Sequence, residues 1–454
     1  MPKETRALLL TLGLGVFAGA LDLGVLSPAL PAIAREFGVP TGDLAWIFTL
    51  YLLVTILSIA IASTLADRFG RRVVYMSCIG CFLLGSVVAV IAPSYGWLLF
   101  ARALQALGAG GVFPVATAAI GDVVEPEKRG AALGLVAATW GLAAIVGPLA
   151  GGLLTHFLDW RWIFVLNFPL ALAVLWLAWK HLPVHAPRAR GPLDGLGLAL
   201  LCLGLLLLMD GLETARWLNA TLGIAVLAAF VWWEPSAEYP IVPSALLAAP
   251  QLAKTYVLEI AIGALEGSLF FVPTVIVAAQ NLSYAAAGAV AALGALMFVM
   301  VIPLSGRALD RIGSRDVLLA GAMLTEIGLA IFALGFHSLP LTILSMIVAG
   351  CGFGALLGAP TRYIVTNEAG EARRATAVGL LSQALIVGQI VGSSLAGGVI
   401  GLAKDELHGY REAYLCFCGI ALAALVIAST LNSRERESSL ANASGGSGSP
   451  IKNP

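Results

Sequence analysis

Fourteen times along this chain the sequence holds about twenty consecutive, mostly apolar residues, the length a helix needs to cross a bilayer. No other feature limits the possible folds so tightly. Lipid offers no partner to a backbone N–H or C=O, so a segment within it must be helical or belong to a closed barrel. The runs are Ala7–Ile33, Leu44–Ala66, Val73–Ile91, Trp97–Ile120, Ala131–Leu154, Trp162–Trp179 and Gly195–Leu212. They continue as Leu218–Trp233, Tyr256–Val277, Ala285–Leu304, Val317–Leu334, Leu341–Val365, Ala375–Leu402 and Tyr414–Leu431. With 59% hydrophobic and 11% charged residues, the chain has too little charge to cover a soluble exterior. Lys3 and Arg6 precede the first run as in a signal peptide, but a run reaching Ile33 is long enough to span and reads as an uncleaved helix.

Basic residues orient these spans. With the N-terminus in the cytoplasm, nineteen Lys and Arg fall inside, while Arg35, Arg161, Arg216, Lys404 and Arg411 fall outside. An even number of spans returns the C-terminus to the same side. A miscount midway would destroy the bias, so the bias supports fourteen.

An internal repeat divides the chain. Asp67-Arg68-Phe69-Gly70-Arg71-Arg72 follows the second run, and Asp310-Arg311-Ile312-Gly313-Ser314-Arg315 follows the tenth, 243 positions later. Arg129-Gly130-Ala131-Ala132 recurs as Arg374-Ala375-Thr376-Ala377, 245 positions later. The expected fold is an all-α membrane protein: two six-helix pseudo-symmetric bundles (1–182 and 255–432) with an inserted two-helix hairpin in 183–254. A cytoplasmic tail, 433–454, rich in Ser, Gly and Asn, is expected to be disordered. Parallel repeats with a midplane site between them are a transporter architecture.

The Asp67–Arg72 turn resembles the signature loop of the major facilitator superfamily, with Ser63 where that family usually has Gly. Leu21-Asp22 with Ala29-Leu30-Pro31, and Trp46 with Tyr51-Leu52-Leu53, resemble its fourteen-span drug:H⁺ antiporters; Gly24 and Ser27 replace their usual Thr and Asn. Arg102-x-x-Gln105-x-x-Gly108-x-Gly110 resembles a proton-linked motif, and Gly147-Pro148-Leu149-Ala150-Gly151-Gly152 matches one associated with antiport. Trp160-Arg161-Trp162 and Asn167-x-Pro169 resemble the same branch. The resemblance implies that Asp67 and Asp310 latch the halves, with Arg68, Arg71 and Arg311 beside them and Asp122 pairing with an Arg of the first turn. It also turns Gly147, Pro148, Gly151 and Gly152 from a packing stripe into a hinge or seal favouring exchange over symport.

Acids inside the membrane point to function, because an ionised group at mid-bilayer costs at least about 2.5–3.5 kcal/mol. Asp22 lies in the first run; Glu259 and Glu266, seven residues apart, share a face of the ninth. These runs are equivalent in the two repeats, so their acids are expected to face one central cavity, the proton entering onto Asp22 or one of the acids of the ninth run, with Arg102 as the candidate cation. Glu326 is a weaker candidate, and Asp210 and Glu213, at the outer end of the hairpin, are expected to be solvated. Trp46, Phe113, Trp140, Phe270 and Phe271 are candidate lining of an apolar substrate pocket.

No phosphate-cradling Gly-x-x-x-x-Gly-Lys-Ser/Thr loop occurs, and no nucleophile–base set stands out, so neither ATP-driven transport nor an enzyme is expected. Zero net charge gives no sign of a nucleic-acid partner. Cys78 and Cys81 have C-x-x-C spacing but lie mid-helix with no second pair, and His181 with His185 lacks carboxylate support, so no metal or cofactor is expected. The expectation is a monomeric proton-coupled exporter of amphipathic or cationic small molecules in the cell membrane, driven by the proton gradient. The alternatives are a dedicated exporter of one metabolite, amino acid derivative or lipid, and a non-transporting sensor on the same fold.

Overall fold

The computed structural model describes residues 3–183, 194–238, 240–369 and 373–433. The proposed tail, His185 and most of the linker before the hairpin lie outside them. Fourteen helices are long and apolar enough to span: α1 Thr5–Phe37, α2 Gly42–Phe69, α3 Arg71–Val90, α4 Tyr95–Val123, α5 Ala132–Phe157, α6 Trp162–His181 and α7 Gly195–Glu213. The rest are α8 Trp217–Ser236, α9 Pro250–Gln280, α10 Tyr284–Ile312, α11 Ser314–Gly335, α12 Leu339–Glu368, α13 Thr376–Leu402 and α14 Glu406–Ser429. No strand occurs among the described residues. Each expected run maps to one helix. Three helices start earlier than apolarity indicates, where polar caps set them: Ser94 accepts from Trp97 N at 3.5 Å, Ser283 from Ala286 N at 3.2 Å and Asp405 from His408 N at 3.0 Å.

The repeat is visible in the backbone. Gly70 and Gly313, 243 positions apart, hold φ of +88° and +91° in the sharp turns after α2 and α10, a region that favours glycine. Both α1 and α9 break into a 3₁₀ turn, at Ser27–Ala29 beside Pro28 and at Leu269–Phe271 before Pro273. The breaks meet: Ser27 Oγ donates to the Phe270 carbonyl at 2.5 Å, a contact between equivalent positions of the two halves.

Two pseudo-equivalent helix pairs join the halves, α2 with α13 and α5 with α10. A Cβ on Gly42 would sit 2.7 Å from the Gly397 carbonyl oxygen, and one on Gly152 would sit 3.2 Å from Cα of Ala285 and Gly288. Gly42 and Ala285 are equivalent, as are Gly152 and Gly397, so the same small-residue crossing is built twice.

Packing differs between the two ends of the bundle. At the face distal to the termini one apolar core draws on both halves, with Leu30, Leu44 and Phe48 against Phe271, Val275 and Ile400. Toward the termini the cores separate by half: Leu12, Tyr75 and Val112 cluster in the first, Leu258, Leu318 and Leu356 in the second. The distal face is therefore closed. The hairpin seats α7 on the seam, where Leu205 and Met209 pack with Leu52 and Ile56 of α2 and Ile390 of α13.

Candidate functional site

The first half holds a polar network inside its core. Asp22, Arg102, Gln105, Asn167 and Ser86 are each 0% exposed. Arg102 Nη1 donates to Asp22 Oδ2 and, at 2.8 Å, to Gln105 Oε1. Asp22 Oδ1 accepts from Gln105 Nε2 at 3.1 Å and Asn167 Nδ2 at 2.9 Å, and both amides also reach Ser86 Oγ. The Tyr51 ring lies 4.1 Å from the guanidinium carbon, a cation–π contact. Five helices thus contribute to one network built around a carboxylate. Arg102 Nη2 and Asn167 Oδ1 have no partner among the described residues, so hydrogen-bonding capacity remains beside the acid.

This geometry corrects one expectation. Asp22 does not share an open cavity with the α9 acids; it is enclosed within its own half and balanced by Arg102. The arrangement can exchange a proton for an ion pair: a proton on Asp22 would free Arg102, which links α1 to α4. Sequence alone missed Gln105, Asn167, Ser86 and Tyr51 as partners. The available signal was a set of amides and hydroxyls inside otherwise apolar runs.

In the second half, Glu266 has no cation at hydrogen-bond distance among the described residues. Glu266 is half-buried and accepts from Gln389 Nε2 of α13 at 2.9 Å, a neutral partner. Glu259 is 5% exposed and lies near Thr361 and Arg362 of α12; its Oε2 has no hydrogen-bond partner among the described residues. Glu326, partly buried on α11, sits near Cys418 of α14 and apart from both.

Of the Asp-Arg turns, the first is built into the protein. Asp67 is 5% exposed, and Arg71 bridges it at 2.6 Å to Asp122 at 3.2 Å, while Arg68 is exposed. The second turn differs because Ser314 stands at the position equivalent to Arg71; Asp310 and Arg311 are exposed.

Gly147 and Gly151 press on Gly24 and Val25 of α1, while Gly152 contacts α10 of the other half, so this stretch joins three helices. That explains Gly24: a larger side chain there would meet Pro148 Cδ at 3.3 Å. Among the aromatic candidates, Phe113 and Trp140 are 41% and 44% exposed. Phe270 stacks on Phe48 with centroids 4.3 Å apart, and Trp46 packs at the hairpin seam. Phe271 is fully buried in the distal core and lines no open space, because the α9 break turns it inward. Glu213 is also misplaced by sequence: it is buried rather than solvated, because α7 docks against α13.

The sequence profile of the Major Facilitator Superfamily matches residues 12–249 and 255–453. The chain belongs to that superfamily and is a multi-pass membrane transporter. It is 31% identical over 441 residues to the uncharacterized MFS-type transporter YfiU of Bacillus subtilis, covering 93% of this chain and 85% of YfiU. The Multidrug resistance protein B homolog of Mycobacterium tuberculosis (strain ATCC 25618 / H37Rv) is 29% identical over 413 residues, covering 86% and 75%. Fatty acid resistance protein FarB of Neisseria gonorrhoeae is 31% identical over 337 residues, covering 70% and 64%. A D-xylose-proton symporter shares the fold with TM-score 0.72 at 15% identity, covering 95% of this chain and 98% of that one.

Proposed function

We propose that the chain is a proton-coupled antiporter that exports amphipathic or cationic small molecules by alternating access, in the cell membrane with both termini cytoplasmic. The observation that carries this is the unequal charge balance of the two halves. Asp22 is neutralised by Arg102, whereas Glu266 accepts from the Gln389 amide, pairs with no cation among the described residues and keeps part of its surface accessible. A cation or a proton can satisfy Glu266, and each excludes the other, which is the requirement for exchange. Under this orientation the closed distal face is the outer one, and the structure is ready to load from the cytoplasm.

The name of the Mycobacterium tuberculosis relative, Multidrug resistance protein B homolog, supports export. FarB, named for fatty acid resistance, keeps a dedicated lipid exporter as a second possibility. The test is substrate-induced proton release from proteoliposomes, screened over lipophilic cations, fatty acids and neutral metabolites. Lipophilic cations should release protons. Asp22→Asn should abolish uphill export while leaving downhill exchange, and Glu266→Gln should lose cationic substrates first. Proton coupling that survives both substitutions would remove these residues from the mechanism.

A further inference from the structure

The hairpin carries one acidic side chain into the seam between the halves. Glu213, the last residue of α7, is 9% exposed, and its carboxyl meets both halves. From the second half, Ser394 Oγ of α13 donates to Glu213 Oε1 at 2.9 Å. From the first half, Thr49 of α2 lies against the same carboxyl. The helices approach this closely because Gly398 has no side chain: a Cβ there would sit 3.4 Å from Glu213 Cα and would collide with the Leu212 carbonyl oxygen.

Counting donors leaves one oxygen unmatched. The Thr49 hydroxyl has one hydrogen for two acceptors, the Ala45 carbonyl at 3.1 Å and the Glu213 carboxyl beside it. Glu213 Oε2 is buried and has no hydrogen-bond partner among the described residues. Against a carboxylate that hydrogen can serve one of the two acceptors; a protonated carboxyl would donate to Thr49 and leave the Thr49 hydrogen to Ala45, which completes the set. The charged neighbours give no compensating cation. Asp43 at the start of α2 and Asp210 on α7 are acids, Tyr95 of α4 donates its hydroxyl to the Asp43 carbonyl at 2.5 Å, and Arg216 turns to Asp210 at 3.8 Å.

We propose that Glu213 is a proton-dependent clamp of the distal face: carrying a proton, it ties the hairpin to both halves and holds that face closed, and losing the proton releases it. This deepens the transport reading by adding a regulator set by pH on the distal side, separate from Asp22 and Glu266. One proton bound only in the closed state makes the closed-to-open ratio rise up to about tenfold for each unit fall in pH.

The test uses full-length protein in nanodiscs with spin labels on non-canonical amino acids at exposed Gly96 and Lys404, at the distal ends of the two halves. Double electron–electron resonance then reads the distance distribution against pH. Wild type should gain a long-distance population as pH rises, and Glu213→Gln should stay short throughout. Should the Gln variant misfold, Ser394→Ala serves instead, and it should lose closed population at acid pH. A Gln variant that follows the wild-type pH curve, a wild type without pH dependence, or an unchanged distribution in Ser394→Ala each overturns the clamp. The readout needs no substrate or gradient, so failure of proton–substrate exchange would sink the antiport reading without touching this one.

Discussion

At the scale of single residues, the Asp22–Arg102 pair shows why polar groups in a membrane core come as sets. Removing one member of a buried pair leaves a charge with neither water nor partner, at a cost of about 3–5 kcal/mol. Arg102→Met should therefore lower thermal stability by that order, and Asp22→Asn combined with it should recover much of the loss. A double-mutant cycle with additive effects would mean that the two residues do not act as a pair. Gln105 and Asn167 satisfy the remaining lone pairs, so replacing either by Leu should be milder than Arg102→Met on the same thermal assay.

Among the helices, the decisive contacts are made by residues with almost no side chain. Gly152 of α5 against α10 and Gly397 of α13 against Gly42 are two copies of one crossing, and both lie where the halves meet. Gly152→Val and Gly397→Val should each push a helix pair apart and loosen the distal face. The measurement is the labelling rate of a cysteine placed at Ile400, which is 4% exposed in the distal core. Both variants should raise it several-fold, whereas Gly134→Val, with no atom near its Cβ position, should not. Opposite responses from the two glycines would show that the crossings are not equivalent in function.

For the whole molecule, one apolar core shared at the distal end and separate cores toward the termini describe two bodies touching at one end. Alternating access needs that contact to break in each cycle. Thr41 Oγ1 donates to Glu406 Oε1 at 2.8 Å across the closed face, so cysteines at these positions should cross-link. Cross-linking should stop transport, and reductant should restore it; transport that continues in the linked protein would exclude this motion.

The sequence by itself determined the number of spans, the division into halves and the sharp turns after α2 and α10. Apolar length is what lipid selects, and an Asp-Arg-x-Gly turn is a local code that repeats at a fixed offset. It also pointed to Asp22 with Arg102 as the nearby cation, but not to the amides and hydroxyls around them. A membrane helix is apolar all round, so its sequence carries no stripe to say which way Asp22 or Glu213 turns. Tertiary structure alone decided that Gln105 and Asn167, 83 and 145 residues away, close on Asp22 beside Arg102. It also decided that the hairpin docks on the seam, burying Glu213 against Ser394, 181 residues on, because a lipid-facing helix and a seam-filling helix share one composition.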